Sequence, residues 1–134
     1  MNKMNKKMEY ALMALRLITQ RPEGDLTTAK EVSDKMHVSF ETTARVLQAL
    51  SARGLLKAEY GVGGGYTLAR SLASVSLHDL SEMLEGNTLL TKCLGTDEIC
   101  ETHPTCNITI PITKLNKKIQ EFYKSVSLEE VLHV

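Results

Sequence analysis

The sequence lacks the features that would place it in a membrane or secreted class. No apolar run approaches the roughly 18–20 residues that a membrane-spanning helix needs. The chain begins with basic and then apolar residues, as a signal peptide does, but Glu9 and Arg16 interrupt the apolar part. No small-residue cleavage site follows. We therefore expect residues 8–20 to form a helix of a mature, cytoplasmic protein.

The chain also lacks the residue groupings of enzymes and nucleotide-binding proteins. Its four histidines have no evident nucleophile or carboxylate partner, so we do not expect an enzyme. Residues 61–65, GVGGG, miss the dinucleotide-binding pattern because position 66 is Tyr. They miss the Walker pattern because no Lys-Ser or Lys-Thr pair follows. A nucleotide-binding loop is therefore excluded here.

The length and charge of the chain fit one domain with two different halves. At 134 residues and 43% hydrophobic content, the chain is long enough for a hydrophobic core. Residues 1–70 carry 11 Lys and Arg against 7 Asp and Glu, whereas residues 71–134 carry 5 against 9. The zero net charge thus conceals a basic front half, which fits nucleic-acid binding, and an acidic back half.

Two helical segments separated by a short break predict a helix-turn-helix. Thr28 and Glu31 form a capping box, which predicts a helix that runs to about Met36. Ser39 is a suitable N-cap for a third helix, which stops at Gly54. Any helical hairpin shows this spacing, so the pattern alone leaves DNA binding open.

A predicted β-hairpin follows the third helix directly. Residues 55–60 and 66–69 are short strand candidates on either side of the glycine-rich segment, and this arrangement is typical of the wing of a winged helix. Four glycines in five positions permit positive φ angles and close approach of backbone N–H groups to phosphate. We expect a mainly α-helical fold with a small β-hairpin wing.

The C-terminal part of the chain predicts a helix that pairs with a second copy. A fourth helix is predicted from Leu77 to Glu85, then a loop, then a long helix that begins near Pro111. Apolar residues on the long helix are spaced 3, 4, 3 and 4, which is a heptad seam. The seam could pack on the protein's own core, but we favour dimerisation. The predicted interface residues are Ile112, Leu115, Ile119, Phe122 and Val126.

All three cysteines, Cys93, Cys100 and Cys106, lie in the loop between these helices. Their odd number argues against a complete disulfide framework. Their spacing matches neither the cysteine pairs of zinc fingers nor the tight cysteine run of bacterial ferredoxins. Three thiolates could still hold an iron–sulfur cluster with a fourth ligand from elsewhere, form a redox switch, bind zinc, or have no function. The spacing alone leaves these alternatives open.

Together these motifs resemble the winged-helix iron–sulfur cluster regulators to which IscR and NsrR belong. The resemblance covers nearly the whole chain: EYAL at residues 9–12, the helix-turn-helix, GVGGGY at residues 61–66, and three cysteines before a long helix. It implies a dimeric, cytoplasmic bacterial transcription regulator. The cluster in such regulators reports iron–sulfur status, oxidants or nitric oxide, and its state changes the affinity for DNA.

The resemblance also implies a set of cluster ligands. IscR-like members have a His three residues after the last cysteine, where this sequence has Thr109. NsrR-like members use the carboxylate of an Asp-Tyr-Ala motif on the first helix, where this sequence has Glu9 followed by Tyr and Ala. His103 is a rival fourth ligand. The implied ligands of a 4Fe-4S cluster, or else a 2Fe-2S cluster, are Cys93, Cys100, Cys106 and, from the other subunit, Glu9.

The start of the third helix is expected to lie in the major groove, with Arg45 reading guanine. The residues of this helix predicted to contact DNA are Ser39, Thr42, Thr43 and Arg45. The wing is expected to hold phosphates or to enter the minor groove. Its predicted contact residues are Lys57, Gly61, Gly63, Gly64, Gly65 and Tyr66. IscR-type helices carry Glu-Gln where this one has Ala44 and Arg45, so the operator preference is not transferred.

The sequence therefore predicts a homodimeric winged-helix repressor that is controlled by an iron–sulfur cluster. We expect a DNA-binding domain over residues 1–86, a cysteine-containing loop over 87–108, and a dimerisation helix with a tail over 109–134. One alternative is a regulator that uses the same cysteines as a thiol switch. A second, from another class, is a small iron–sulfur carrier or electron-transfer protein, which leaves the helix-turn-helix and the wing unexplained.

Overall fold

The computed structural model describes residues 4–85 and 105–133, which form helices around one two-stranded antiparallel sheet. The helices are α1 (Lys6–Thr19), α2 (Ala29–Met36), α3 (Phe40–Ala52), α4 (Leu77–Glu85), α5 (Thr109–Ser125) and α6 (Leu128–Leu132). The strands are β1 (Leu56–Glu59) and β2 (Gly65–Leu68), and a 3-10 turn covers Leu72–Ser74. The predicted fold class, mainly α with a β-hairpin wing, is confirmed.

Helix α1 begins two residues earlier than the sequence predicts because Asn5 caps it. The Asn5 side-chain oxygen accepts a hydrogen bond from the Met8 N–H at 3.0 Å. This satisfies one of the N–H groups that have no partner within the helix. One face of α1 packs against α3 and α4. Its buried residues are Met8, Ala11, Ala14, Leu15, Leu17 and Ile18.

Helices α2 and α3 form the predicted helix-turn-helix. The Thr28 hydroxyl accepts the Glu31 N–H at 3.1 Å, and the Glu31 carboxylate accepts the Thr28 N–H at 3.3 Å, which completes the capping box. His37 ends α2 in the left-handed conformation, with φ of 55°. The Ser39 hydroxyl then caps α3 by accepting the Thr42 N–H at 3.3 Å. The chain therefore turns between the two helices where the caps predict.

A single hydrophobic core joins α1, α2, α3, α4 and α6. Each fully buried leucine contributes about 1.5–3 kcal/mol relative to an exposed one. The leucine and valine residues with no exposed surface are Leu15, Val32, Leu47, Leu50, Leu55, Val75, Leu80 and Leu128. Because α3 supplies two of them, its orientation is fixed by the core.

The wing is attached to the helix-turn-helix by a contact that the sequence did not predict. Strands β1 and β2 pair in antiparallel register, with Leu56 opposite Leu68 and Glu59 opposite Gly65. Thr27 and Tyr66 exchange two further backbone hydrogen bonds, at 3.0 and 2.8 Å. The base of the wing is thereby held against the chain just before α2.

The end of the chain packs on the winged helix. The Leu77 N–H donates to the Val126 carbonyl, and the Leu128 N–H donates to the Val75 carbonyl, both at 2.8 Å. Leu128 and Leu132 of α6 are buried in the core. The prediction that Val126 continues the heptad seam is wrong, because α5 ends at Ser125 and Val126 has extended backbone angles.

Candidate nucleic-acid interface and metal centre

The exposed side of α3 carries a polar stripe. Glu41, Arg45 and Gln48 are exposed at spacings of four and three residues, so they lie along one face of the helix. The side chains of Glu41 and Arg45 are each 75% exposed. One terminal nitrogen of the Arg45 guanidinium, Nη2, donates to the Glu41 carboxylate at 2.7 Å. None of these three residues contributes to the core.

The other predicted contacts of α3 divide between surface and core. Ser39 is exposed and Thr42 is partly exposed, so both remain predicted DNA contacts. Thr43 has no exposed surface, and its hydroxyl donates to the Ser39 carbonyl at 2.7 Å. The prediction that Thr43 faces the major groove is therefore wrong, because its side chain is used inside the fold.

Sequence reasoning missed three exposed residues on this surface. Phe40, the first residue of α3, is 55% exposed. Glu41 and Gln48 were not selected at all. The signal for Phe40 was its position as the first residue of α3, next to the exposed Ser39. The signal for the other two was their spacing from Arg45, which places all three on one face.

The wing presents a glycine turn with two exposed hydrophobic side chains. Gly61 and Gly63 have φ of 91° and 77°, and the Gly64 N–H donates to the Gly61 carbonyl at 3.1 Å. Tyr60 is 92% exposed and Val62 is fully exposed. Neither was selected from the sequence, although both lie within or beside the glycine segment. An exposed apolar tip on a tight turn can contact a groove or a partner surface.

The remaining predicted wing residues lie at its edge and its base. Lys57 is exposed, and its ammonium lies 3.7 Å from the Glu59 carboxylate. Gly65 has φ of 151°, and Tyr66 follows it in β2 with its ring packed partly against the core. Burial raises the pKa of Tyr66, and the nearby Tyr60 raises it to a smaller extent. Tyr66 thus braces the wing, while its contact with DNA remains a prediction.

Cys106 lies just before α5, and the groups around it lower the pKa of its thiol. It is half-buried. The Thr109 hydroxyl and the backbone N–H groups of Ile108 and Thr109 donate hydrogen bonds to the sulfur. These hydrogen bonds lower the pKa of Cys106, and the bond from the Thr109 hydroxyl has the largest effect. The N-cap residue Ile108 makes no side-chain cap hydrogen bond. The sulfur therefore meets the unpaired donors at the start of this helix.

The predicted metal ligands lie only partly within the described structure. Cys93, Cys100 and His103 fall outside it. Glu9 is exposed in the first turn of α1. Across residues 4–85 and 105–133, no three His, Cys, Asp or Glu side chains gather closely enough to hold a metal ion. Within these ranges, Cys106 supplies a sulfur ligand of the kind that a soft metal prefers.

The first turn of α1 contacts the end of α4, where the cysteine-containing segment begins. The Asn5 amide nitrogen donates to the Glu85 carboxylate, while its oxygen caps α1. Glu85 is the last residue described before residue 105. Glu9 is one helical turn from Asn5, and its N–H donates to the Asn5 carbonyl at 3.1 Å. The chain thus enters the cysteine segment beside the helix end that carries Glu9.

The heptad seam of α5 is largely exposed. Leu115 and Phe122 are 45% and 57% exposed, and Ile112 and Ile119 are half-buried. The one buried residue of α5 is Asn116. Among the residues that the structure describes, no seam residue belongs to the buried core, and dimerisation through the seam remains a prediction.

Comparison with known proteins identifies the family. The family model Rrf2, described as an iron-dependent transcriptional regulator, matches residues 4–134. The chain belongs to the Rrf2 family. An HTH-type transcriptional regulator of Haemophilus influenzae is 26% identical over 131 residues, which cover 98% of this chain and 87% of the relative. The matching family and this relative are both described as transcriptional regulators, so the chain is a transcriptional regulator and not an enzyme.

Solved structures of similar regulators share the fold. CymR, the global cysteine regulator of Bacillus subtilis, superposes with a TM-score of 0.75 at 21% identity, covering 99% of this chain and 98% of CymR. IscR of T. potens superposes with a TM-score of 0.69 at 22% identity, covering 98% and 87% of the two chains. The predicted resemblance to winged-helix regulators of this type is confirmed. In the part of the chain that the structure describes, no helix is long and apolar enough to cross a membrane.

Proposed function

We propose that this Rrf2-family regulator is a cytoplasmic, homodimeric repressor whose affinity for its operator depends on an iron–sulfur cluster. The ligands would be Cys93, Cys100, Cys106 and the partner's Glu9. The observation that carries this proposal is the position of Cys106 directly before α5, at the end of the cysteine-containing segment, where hydrogen bonds from Thr109 and Ile108 lower the pKa of its thiol. The description of the matching family as iron-dependent supports it.

The choice of ligands suits a sensor. Thiolates are soft, strong ligands for iron, whereas a carboxylate is harder and is held more weakly by a cluster iron. A bound cluster would supply a redox-active centre that reacts with oxidants or nitric oxide. Three cysteines would retain the cluster, while the carboxylate corner would leave one position open to attack. Cys106 is prepared for this role because hydrogen bonds already favour its charged form.

Exposed residues on α3 support sequence-specific DNA binding. Arg45 projects from the helix with three-quarters of its side chain exposed, and a guanidinium is the side-chain group best matched to guanine in the major groove. The exposed apolar seam of α5 supports a dimer, which would place two recognition helices on two half-sites. We therefore expect a pseudo-palindromic operator.

Anaerobic purification followed by DNA-binding measurements tests the cluster hypothesis. We expect a coloured protein with a visible and Mössbauer spectrum of an iron–sulfur cluster. Its affinity for an operator selected from a random library should change on exposure to nitric oxide or oxygen. The triple variant in which the cysteines are replaced by serine should be colourless and should not respond. A colourless wild-type protein whose DNA affinity does not change would overturn the proposal.

A thiol switch without a cluster is the second candidate, and the same Cys106 supports it. A thiol whose pKa is lowered is a better nucleophile at neutral pH and is more easily oxidised. The fold shared with CymR, which is named a global cysteine regulator, is compatible with this alternative. A colourless protein whose affinity for DNA falls with hydrogen peroxide and recovers with dithiothreitol would favour it.

A further inference from the structure

The recognition helix carries a carboxylate on the surface that would approach DNA. Glu41 lies in the first turn of α3 and is 75% exposed. Phosphates repel a carboxylate, so an acidic residue at this place lowers the affinity for every DNA sequence. An acid in the first turn of a helix also interacts favourably with the helix dipole, which is the simplest account of Glu41. Its i,i+4 pairing with Arg45 also adds a small stabilisation to the helix, and a role in specificity would be additional to both effects.

Glu41 holds the side chain that is best suited to read guanine. Its carboxylate accepts from Nη2 of Arg45 at 2.7 Å across one helical turn. A guanidinium has five N–H donors in a planar fork, so one contact to Glu41 leaves others free for guanine. A long exposed side chain otherwise loses rotamer freedom when it binds. The pair thus favours one orientation of Arg45, with the weak preference of an exposed ion pair one helical turn apart.

The second carboxylate oxygen can read a base itself. Residues four apart on a helix are displaced by about 6 Å along its axis. Successive bases are about 3.4 Å apart on one strand. Glu41 and Arg45 therefore reach bases within about two steps of each other. In the major groove, a carboxylate accepts from the N4 amino group of cytosine, and it is repelled by the acceptor oxygens of guanine and thymine.

We propose that Glu41 is a specificity-determining residue: it positions Arg45 on a guanine and accepts a hydrogen bond from the N4 amino group of a cytosine nearby. This rests on the DNA-binding part of the proposed function and not on the cluster. Glu41 weakens binding to sequences that lack this cytosine. Where no base donor faces it, the carboxylate is repelled by the acceptor oxygens of the bases and loses its hydration without gaining a hydrogen bond. The expected operator half-site contains a guanine and a cytosine at most two positions apart.

Selection from a random duplex library tests this proposal with Glu41→Gln. The variant removes the charge but keeps the shape of the side chain. Thermal unfolding followed by circular dichroism checks that the variant is folded. We expect the preference for cytosine at one position to fall roughly five- to tenfold, the low end for one base contact. The guanine position should broaden, and affinity for random duplex should rise. A structural role alone would not produce these opposite changes.

Matched variants separate this effect from general electrostatics. Glu129→Gln removes the same charge from an exposed position on α6 and should leave both the selected motif and the random-DNA affinity unchanged. In an Arg45→Ala background, where the guanine preference is already lost, Glu41→Gln should still weaken the cytosine preference. It should cause no further change at the guanine position, because Glu41 acts there through Arg45.

Two outcomes would count against the proposal, and they are distinguishable. If wild-type protein enriches a motif and Glu41→Gln enriches the same motif with equal preference, Glu41 has no role in specificity. If wild-type protein enriches no motif at all, sequence-specific DNA binding fails and this inference fails with it. A reduced cytosine preference together with tighter binding of random duplex supports it.

Discussion

At the scale of single residues, Gly64 sets the shape of the wing tip. A β-carbon at this position would lie 2.3 Å from the Glu59 carbonyl oxygen and 3.0 Å from that of Gly61. Both neighbours are backbone atoms, so Gly64→Ala must displace the turn. We expect weaker operator binding, measured by fluorescence anisotropy, with little loss of overall stability because the tip lies outside the core.

Gly63→Ala is the matched control for this substitution. Gly63 has φ of 77°, but no atom lies within 4 Å of a β-carbon placed there. Alanine at this site costs only the left-handed backbone penalty, about 1–2 kcal/mol, without a clash. Operator affinity should therefore fall less for Gly63→Ala than for Gly64→Ala. Equal losses would show that the displaced turn is not what limits binding.

Single residues also show how far the sequence could locate the interface. Arg45 was predicted as a surface contact and is exposed, since its helical position lies opposite the apolar face. Thr43 was misplaced, although Val46, Leu47 and Leu50 follow it at spacings of three, four and seven residues. That spacing places Thr43 on the buried face. The polar side chain led to the prediction that Thr43 lies on the surface. A threonine hydroxyl can nevertheless be buried in a helix, because it can donate a hydrogen bond to a backbone carbonyl one turn earlier.

At the scale of elements, α5 presents an exposed apolar seam that we expect to form the dimer interface. Leu115 lies in this seam and is 45% exposed. Leu115→Glu would place two like charges in a twofold interface, so we expect dissociation at micromolar concentration by sedimentation velocity. Operator binding should weaken in parallel, because two recognition helices would no longer be joined.

Lys117→Glu tests the face specificity of this effect. Lys117 is exposed and lies about 200° around the helix from Leu115. The charge change is twice as large as in Leu115→Glu, but it is outside the seam. The variant should remain dimeric. Dissociation of both variants would indicate that charge on α5, and not the seam, controls association.

A second prediction at this scale concerns the ion pair that fastens α2 to the end of α1. The Arg21 guanidinium donates to the Glu31 carboxylate and holds the pKa of Glu31 below its usual range, against the opposing effect of burial. Because the pKa of Glu31 is lower in the folded state, the ionised carboxylate stabilises the fold at pH values above its ordinary pKa of about 4.3. This stabilisation is lost as the pH falls through the pKa of the folded state. The difference in melting temperature between wild type and Glu31→Gln should therefore shrink below about pH 4.

Glu23→Gln provides the comparison for this pH dependence. It removes a carboxylate from an exposed position in the adjacent turn. Its melting temperature should follow that of wild type across the same pH range. If Glu31→Gln and Glu23→Gln reduce the dependence of the melting temperature on acid pH equally, net charge accounts for the effect rather than the contact with Arg21.

Most elements were predictable from local signals, whereas the contacts between them were not. The capping box at Thr28, the Ser39 cap and Gly54 fixed the helix-turn-helix from the sequence. The bridge between Thr27 and Tyr66 leaves no periodic pattern in the sequence, because it involves a single residue on each side. The docking of α6 on the core depends on backbone hydrogen bonds between segments about fifty residues apart, which no local pattern records.

At the scale of the whole molecule, α1 connects the proposed sensor to the DNA-binding unit. One end of α1 meets the last turn of α4 through Asn5 and Glu85. The buried face of the same helix packs against α3, which carries Arg45. A change at the first turn of α1 can therefore alter how α3 is held. A two-state response requires that the two arrangements differ in their affinity for DNA.

Substitution of Glu9 tests whether this connection operates. Glu9 is exposed, so Glu9→Ala should leave folding intact and should leave the cysteines able to retain part of the iron. We expect the variant to bind the operator with an affinity that no longer depends on the cluster, because the carboxylate link between the cluster and α1 is absent. Operator affinity is measured before and after exposure to nitric oxide, alongside iron content. Glu129→Ala, an equivalent loss of charge on α6, should retain the full response. If Glu9→Ala responds to nitric oxide as wild type does, signal transmission does not pass through Glu9.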